Sequence, residues 1–241
     1  MTLEASLREA RARLTHARAV TVLTGAGVSA DSGIPTFRGA DGLWRNYRAE
    51  DLATPDAFQR DPTLVWRWYN WRRELIAATH PNKAHDAIVE MERRYEGFWL
   101  ITQNVDGLHP AAGSRKLSEL HGNIWKVRCT ACGQVVENRD VPIAILPMCR
   151  HCGGLLRPHI VWFGEALDER DLDRSRDAAQ SCEVMLIIGT SGVVYPAASL
   201  APLARASGAF VVEINLDPTP ASGQVNLSIQ GRASDLTPRL L

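Results

Sequence analysis

The fold is indicated by one segment near the amino terminus, AVTVLT at residues 19–24 followed by GAGVSADSG at residues 25–33. The first part is a short run rich in β-branched residues, which is typical of a buried strand in a parallel sheet. The second part is a glycine-rich turn that we expect to open a helix and to hold a phosphate on backbone amides. Together they predict a nucleotide-binding edge of an α/β sheet.

The rest of the chain alternates between apolar runs and amphipathic segments. Strands are predicted at residues 98–102, 116–120, 184–188, 209–215 and 225–229, and helices at residues 3–17, 63–78, 84–94 and 168–180. This alternation predicts the α/β class with a mostly parallel, doubly wound sheet. Residues 36–80 and 125–158 interrupt the alternation, and we interpret them as insertions that build a smaller module over the sheet.

Composition narrows the function classes. The chain has 241 residues, of which 45% are hydrophobic, and its 27 basic side chains balance 27 acidic ones. This balance argues against a nucleic-acid or anionic-membrane partner, because a protein that binds either one usually has an excess of basic residues. No segment approaches the ~18 consecutive apolar residues of a membrane span, and the first segment is an amphipathic helix rather than a signal peptide. We therefore expect a cytoplasmic protein.

Two CxxC pairs, at residues 129–132 and 149–152, indicate a metal site. Two such pairs can converge on one ion with tetrahedral sulfur coordination, which suits a structural Zn²⁺ held by Cys129, Cys132, Cys149 and Cys152. Disulfides or a redox pair are the alternatives, and a cytosolic chain with two paired motifs disfavours both. His151 could compete as a ligand, but four thiolates already fill the shell, and Cys182 is interpreted as a core residue.

The glycine-rich turn departs from the dehydrogenase pattern. Its third glycine falls at Gly33, and no acidic residue closes a second strand ~20 residues later, where a ribose-binding carboxylate is expected. Glu50 and Asp51 lie near that distance, but they belong to an Arg-Ala-Glu-Asp loop or helix and do not end a strand. The sequence therefore favours a dinucleotide held in an unusual way over an ordinary hydride-transfer site.

Residues 25–38, GAGVSADSGIPTFR, resemble the signature of the sirtuin family of NAD-dependent protein lysine deacylases. QNVDGLH at residues 103–109, HGN at 121–123 and GTS at 189–191 agree, and the CxxC pairs lie where that family carries a zinc ribbon. The resemblance implies a Rossmann-like NAD-binding domain and a small domain. The large domain is expected at residues 1–35, 81–124 and 159–241, with a helical module at 36–80 and a zinc-ribbon module at 125–158.

The resemblance also implies that NAD is a co-substrate and assigns residues to it. The cofactor-binding positions it implies are Gly25, Ala26, Gly27, Ser29, Phe37, Arg38, Trp44, Gln103, Asn104, Asp106, Gly189, Thr190, Ser191, Asn215, Leu216, Asp217 and Ala233. His121 would be the general base that activates a ribose hydroxyl, since an imidazole titrates near neutrality. The products would be free lysine, nicotinamide and O-acyl-ADP-ribose.

The substrate would be an acyl-lysine side chain of a protein. Val161, Trp162, Phe163 and Gly164 resemble the strand-like segment that pairs with the substrate backbone, and a buried edge strand is the plainer interpretation.

Tyr69 and Arg72 narrow the range of acyl groups that the site would accept. They lie three residues apart and so share a helix face. Such a pair inside an apolar pocket is unfavourable without an anion, whereas a carboxylate suits both side chains. The pair, together with the small Ala40, resembles the residues found in the class of sirtuins that removes succinyl, malonyl and glutaryl groups. The alternative is that Arg72 and Arg73 are solvated helix charges.

Three rival functions remain open from the sequence. They are a deacetylase with broad acyl tolerance, a catalytically silent NAD- or ADP-ribose-binding module, and a zinc-ribbon nucleic-acid binder. Intact His121, Asn104 and Asp106 count against silence. The ribbon has basic neighbours but no aromatic stacking platform, which counts against nucleic acid.

Overall fold

The structure, a computed structural model, describes residues 1–35 and 47–241. Its strands are β1 Ala19–Thr24, β2 Gly97–Thr102, β3 Leu117–Glu119, β4 Gly122–Cys129, β5 Val135–Glu137, β6 Leu156–Ile160, β7 Val184–Ile188, β8 Phe210–Asn215 and β9 Leu227–Gln230. Its helices are α1 Leu3–His16, α2 Ala49–Leu52, α3 Pro55–Arg60, α4 Pro62–Ala77, α5 Lys83–Arg94, α6 Leu108–Ala112, α7 Glu169–Ser181, α8 Leu200–Ala206 and α9 Ala233–Leu236. None of the helices in these described residues is long and apolar enough to cross a membrane.

The main sheet has six parallel strands in the order β3-β2-β1-β7-β8-β9. The chain builds outward from β1 to β3 on one side and then from β7 to β9 on the other. The direction of winding reverses between β1 and β7, and ligands of open α/β sheets bind at the carboxyl ends of strands at such a switch point. The predicted doubly wound sheet is confirmed.

Both faces of the sheet are covered by helices. Leu7 on α1 and Ile88 on α5 belong to the same buried cluster as Val22 of β1. The next residue, Leu23, belongs to the opposite cluster with Ala179 of α7 and helix α8. Successive side chains of a strand point to opposite faces, so β1 is apolar throughout because both faces are buried.

A second unit lies over the carboxyl edge of the sheet. It combines α2, α3 and α4 with an antiparallel sheet of order β5-β4-β6, and its apolar side chains form one buried cluster. The Trp66 indole donates a hydrogen bond of 3.0 Å to the Leu156 carbonyl, which joins helix to ribbon. Strand β4 crosses the expected boundary at residue 124, so one continuous strand links the two units.

Helix α4 starts where the sequence provides a cap. Asp61 accepts a hydrogen bond of 2.9 Å from the Leu64 amide, and Pro62 occupies the first turn, where its missing N–H is harmless. Residues three and four apart share a face, so Trp66, Tyr69 and Arg73 are buried together against the ribbon and the cleft.

Candidate active site

The predicted site residues gather at one edge because the strands are parallel. Each group directly follows a strand end: Gly25 to Ser29 after β1, Gln103, Asn104 and Asp106 after β2, His121 after β3, Gly189 to Ser191 after β7, and Asn215 at the end of β8. The carboxyl ends of parallel strands lie at the same edge, which brings these distant segments together.

The glycine-rich turn differs from the prediction. It opens no α-helix but continues as two short 3₁₀ turns, Ala26–Val28 and Ala30–Ser32. The Gly25 amide donates to Ile188 at 3.2 Å and the Gly27 amide to Gly189 at 2.8 Å, so these two amides hold the loops of β1 and β7 together rather than a phosphate. A Cβ at position 27 would lie 2.7 Å from the Gly189 Cα, which explains the glycines by close approach.

A buried polar network lies behind this turn. The Ser29 hydroxyl donates to Asp106 Oδ2 at 2.8 Å and accepts from the Asn104 amide at 3.1 Å. The Leu108 amide donates to Asp106 Oδ1 at 2.8 Å. Burial raises the pKa of Asp106, while these donors and the Arg72 charge oppose that shift. The network fixes Asp106 and Asn104 at the cleft.

The opposite side of the cleft is also bonded across strands. The Gln103 amide donates to the Thr190 hydroxyl at 2.9 Å, and the Asn215 amide donates to the Thr190 carbonyl at 2.8 Å. Loops after β2, β7 and β8 are thereby joined around Thr190, which is itself buried.

His121 is held in one tautomer. Its Nδ1 lies 2.9 Å from the Gln103 carbonyl oxygen, which only accepts, so Nδ1 carries the proton and Nε2 keeps its lone pair. Burial lowers the pKa of His121, and the bond to Gln103 partly opposes that shift. The imidazole is therefore neutral near pH 7 and able to accept a proton at Nε2.

Two further histidines, His85 and His109, lie beside this network. The rings of His85 and His109 lie 4.8 Å apart, and burial lowers the pKa of both, that of His85 to about 4. Thr24 lies 2.9 Å from His109 Nε2 and donates to Thr102 at 2.9 Å, while His109 Nδ1 finds no partner within the described residues. His109 is the last residue of the motif at residues 103–109, and its place in that motif is the signal in the sequence that marks it.

On helix α4, the alternative of solvated arginines is wrong. Arg72 and Arg73 are 8% and 1% exposed. Burial lowers the pKa of Arg72, and the nearby Tyr69 and Asp106 oppose that shift. Burial also raises the pKa of Tyr69 to about 12, so its hydroxyl keeps its proton at any physiological pH.

The segment at residues 161–164 is not a strand. Strand β6 ends at Ile160, and a turn follows at Phe163 and Gly164, where Gly164 has φ +86°. Trp162 is buried, and its indole donates to the Tyr69 hydroxyl at 2.8 Å, whereas Phe163 is exposed. The Val161 amide donates to the His121 carbonyl at 3.0 Å, so the segment lies beside the candidate base.

Arg157, which is absent from the predicted site, fixes that segment together with Glu165, the residue that follows it. Arg157 pairs with both carboxylate oxygens of Glu165 at 2.5 and 2.8 Å, and its guanidinium lies 3.4 Å from the centre of the Trp162 ring. Glu165 also accepts from the Trp162 amide at 2.9 Å. Only the fold brings the two charges together across the turn.

The four predicted zinc ligands converge. The sulfurs of Cys129, Cys132, Cys149 and Cys152 all lie within 4.8 Å of one another. A tetrahedral zinc with bonds of ~2.3 Å separates its sulfurs by about 3.8 Å. The separations of 3.4 Å for Cys129–Cys152 and 3.9 Å for Cys132–Cys149 fit that ion. Cys182 is buried in the core, as expected.

Several predicted positions are peripheral or lie outside the described residues. Ala233 packs into the sheet core, which leaves only its backbone available to a nucleotide. Leu216 is exposed beside Asn215. Phe37, Arg38, Ala40 and Trp44 lie outside the described residues.

Comparison with known proteins agrees with this site. A model of the Sir2 family matches residues 25–196. The NAD-dependent protein deacylase of Aquifex aeolicus is 52% identical over 216 residues, which cover 89% of this chain and 90% of that protein. NAD-dependent protein deacylase 2 of Pyrobaculum aerophilum is 52% identical over 229 residues, covering 95% and 92%. The chain belongs to the Sir2 family.

Solved structures show the same architecture. A Sir2 homologue in complex with NAD has a TM-score of 0.91 and 46% identity, covering 97% of this chain and 91% of that one. A Sir2 variant with a deacetylated peptide and 3′-O-acetyl ADP-ribose has a TM-score of 0.86 and 33% identity, covering 98% and 97%.

Proposed function

We propose that the protein is an NAD-dependent protein lysine deacylase that prefers acidic acyl groups, namely succinyl, malonyl and glutaryl. The deacylase activity follows from the family and from relatives of that name at 52% identity. The acyl preference is supported by one observation, the hydrogen bond of 2.8 Å from the Trp162 indole to the Tyr69 hydroxyl.

The donor set at the cleft suits NAD. Gln103 and Asn104 offer side-chain amides and Asp106 offers a carboxylate. These groups can bind the hydroxyls of the ribose and the carboxamide of the nicotinamide ring. When bound, NAD supplies the ribose carbon that accepts the acyl oxygen as nicotinamide leaves. Asn104, Asp106 and Ser29 would hold that end, and the loops at Thr190 and Asn215 would hold the ADP half.

His121 would act as the general base. Its Nδ1 proton is committed to the Gln103 carbonyl, so Nε2 is the atom that takes a proton from a ribose hydroxyl. The lowered pKa keeps that lone pair available at neutral pH. The adjacent backbone at Val161 would bring the substrate peptide to the same place, since main-chain pairing binds many sequences.

The acyl preference rests on the chemistry of the Tyr69 hydroxyl. An indole N–H only donates, so the Tyr69 oxygen accepts from Trp162 and its own proton must point elsewhere. Buried Arg72 lies on the same helix face and adds a positive charge. An acidic acyl group offers the acceptor that such a donor and cation favour, whereas an acetyl group does not.

The zinc would be structural. Four sulfur ligands leave no open position for substrate, and thiolate ligands persist best in a reducing compartment, which supports a cytoplasmic location.

Matched acetyl-, succinyl- and malonyl-lysine peptides test the proposal by mass spectrometry with NAD. Arg72→Met should lower kcat/KM for the succinyl peptide by roughly 10- to 150-fold, the loss of one charge-assisted hydrogen bond of ~1.5–3 kcal/mol. Deacetylation should hold steady or rise, because an acetyl group has no carboxylate for Arg72 to bind. Tyr69→Phe should act in the same direction with a smaller effect.

Arg67→Met, a change on the exposed part of the same helix, is the matched control and should leave both activities unchanged. Equal losses on succinyl and acetyl peptides would leave a broad deacetylase as the better description. Absence of nicotinamide release with every peptide would indicate the silent NAD-binding module instead.

A further inference from the structure

The connection between β8 and β9 is unusual for a parallel pair. Parallel neighbours are joined by a crossover, most often a helix that packs on the sheet. Here residues 216–226 make the crossover without an α-helix. Something other than helix packing must therefore hold this segment against the sheet.

The holding group is a buried carboxylate. Glu213, in the middle of β8, is 1% exposed. It accepts hydrogen bonds from the hydroxyls of Thr219 and Ser222 in the crossover, and from Ser228 of β9 at 2.8 Å. Hydrogen bonds to a charged acceptor are about twice as strong as those between neutral groups.

The same segment is ordered around these hydroxyls. Ser222 Oγ accepts from the Thr219 amide at 2.8 Å, and Thr219 Oγ1 accepts from the Ala221 amide at 3.1 Å. Each hydroxyl thus accepts from the crossover backbone and donates to Glu213. The carboxylate is the common acceptor on which the turn is built.

The crossover begins at the cleft. Residues two apart on a strand point to the same face, so Glu213 and Asn215 share one. Asn215 bonds to the Thr190 carbonyl and also accepts from the Leu216 amide at 3.0 Å. Leu216 and Asp217, the residues expected at the ADP-ribose half of NAD, therefore lie between two anchored residues, Asn215 and the Thr219 that donates to Glu213.

We propose that Glu213 is a positioning residue for the nucleotide: it fixes residues 216–224 of the crossover so that the ADP-ribose half of NAD is recognised. This rests on the proposed NAD site at Asn215, Leu216 and Asp217. Glu213 itself does not touch the nucleotide, because its oxygens are already occupied by the three hydroxyls.

Calorimetry with ADP-ribose and steady-state kinetics test this. If the bound arrangement of the crossover falls to one-tenth of the population in Glu213→Gln, the Kd for ADP-ribose and the KM for NAD each rise about tenfold. The value of kcat at saturating NAD and the KM for the peptide should stay unchanged, because the cleft around His121 is intact. Hydrogen exchange should increase at residues 216–224 while the sheet stays protected.

Ser222→Ala removes one crossover donor without disturbing β8 and should produce the same effect at smaller size, so the test survives a Glu213→Gln variant that fails to fold. Ser181→Ala, which removes an exposed hydroxyl bonded to a helix carbonyl, is the control and should change nothing. Unchanged ADP-ribose affinity in both Glu213→Gln and Ser222→Ala would overturn the positioning role. Failure of the unaltered protein to bind ADP-ribose would overturn the NAD site itself.

Discussion

Arg73 on helix α4 donates from one guanidinium nitrogen to both the backbone carbonyl and the side-chain oxygen of Asn138, at 2.5 and 2.6 Å. The same side chain donates to the Ile124 carbonyl at 2.8 Å and the Asp140 carbonyl at 3.2 Å. One arginine therefore satisfies three backbone carbonyls, one within β4 and two in the segment that follows β5. It ties the helix that carries Tyr69 to the ribbon.

Replacement of Arg73 by Met should destabilise the fold. A buried carbonyl left without a donor costs about 1–3 kcal/mol, so the three carbonyls that Arg73 binds give a loss of at least about 3 kcal/mol. In a domain of this size that lowers Tm by about 6–12 °C in calorimetry. Arg93→Met, at an exposed ion pair, should shift Tm by less than the measurement error. A stable Arg73→Met protein would show that the ribbon is held mainly by apolar packing.

Zinc removal should destabilise the ribbon. Cys132→Ser is expected to release the metal and to lower Tm, because the binding energy of a structural zinc is folding energy. Atomic absorption of the purified variant measures the metal content. His151→Ala should retain one zinc per chain, since four thiolates complete the shell. Full zinc content in Cys132→Ser, or its loss in His151→Ala, would change the ligand assignment.

Loss of the His121 base should abolish turnover without loss of fold. His121→Tyr is expected to lower the deacylation rate by about 10²–10⁴-fold, the usual contribution of a general base. ADP-ribose affinity and Tm should stay near those of the unaltered protein. His80→Ala, at an exposed histidine, is the control for activity. Near-native turnover in His121→Tyr would mean that another group takes the proton.

The buried His85 should make stability depend on pH. The folded protein keeps this ring neutral, with a pKa of about 4, whereas an unfolded chain protonates it below ~6.5. Between those values the unfolded state binds more protons, so stability is lost as the pH falls from about 6.5 towards 4. From pH 7 to pH 5 the contribution of this group to the free energy of unfolding should fall by about 2 kcal/mol.

His85→Gln should remove that contribution, and denaturant titrations at pH 7 and pH 5 measure it. The difference between the two pH values should shrink relative to the unaltered protein, while the exposed His80→Gln leaves it unchanged. His109, whose pKa is also lowered by burial, should keep part of the pH dependence in His85→Gln. Identical pH dependence in His85→Gln and the unaltered protein would contradict a neutral buried ring.

The alternation of apolar runs and amphipathic segments in the sequence was sufficient to predict the strands of the main sheet. The run at residues 184–188 matches β7, and the other predicted strands agree with the structure to within two residues at each end. Short apolar runs are typical of strands in a parallel sheet that is covered on both faces, and parallel strands bring their carboxyl ends together. The location of the site therefore followed once the strands were known.

Contacts that depend on tertiary packing did not follow. Trp162 and Tyr69 meet although 93 residues separate them, and nothing local marks the indole as the donor to that hydroxyl. The turn at residues 25–33 has glycines typical of a phosphate loop, but the backbone of Gly189 approaches so closely that it takes the Gly27 amide. Arg72 was expected in a pocket beside Tyr69, whereas the bonds of Arg73 to the Ile124 and Asn138 carbonyls depend on tertiary packing that the sequence does not display.

Strand β4 begins beside His121 and ends at the zinc ligand Cys129, and the side chains around Cys129 and Cys149 belong to the same cluster as Trp66 on α4. The zinc ribbon therefore does not fold independently of helix α4, because the two share one apolar core. Exchanging residues 125–158 for the ribbon of a relative would replace the backbone at Leu156 that accepts from the Trp66 indole and the backbone at Asn138 and Asp140 that accepts from Arg73. A chimaera that carries the ribbon of a relative should therefore fold only when helix α4 is taken from the same relative.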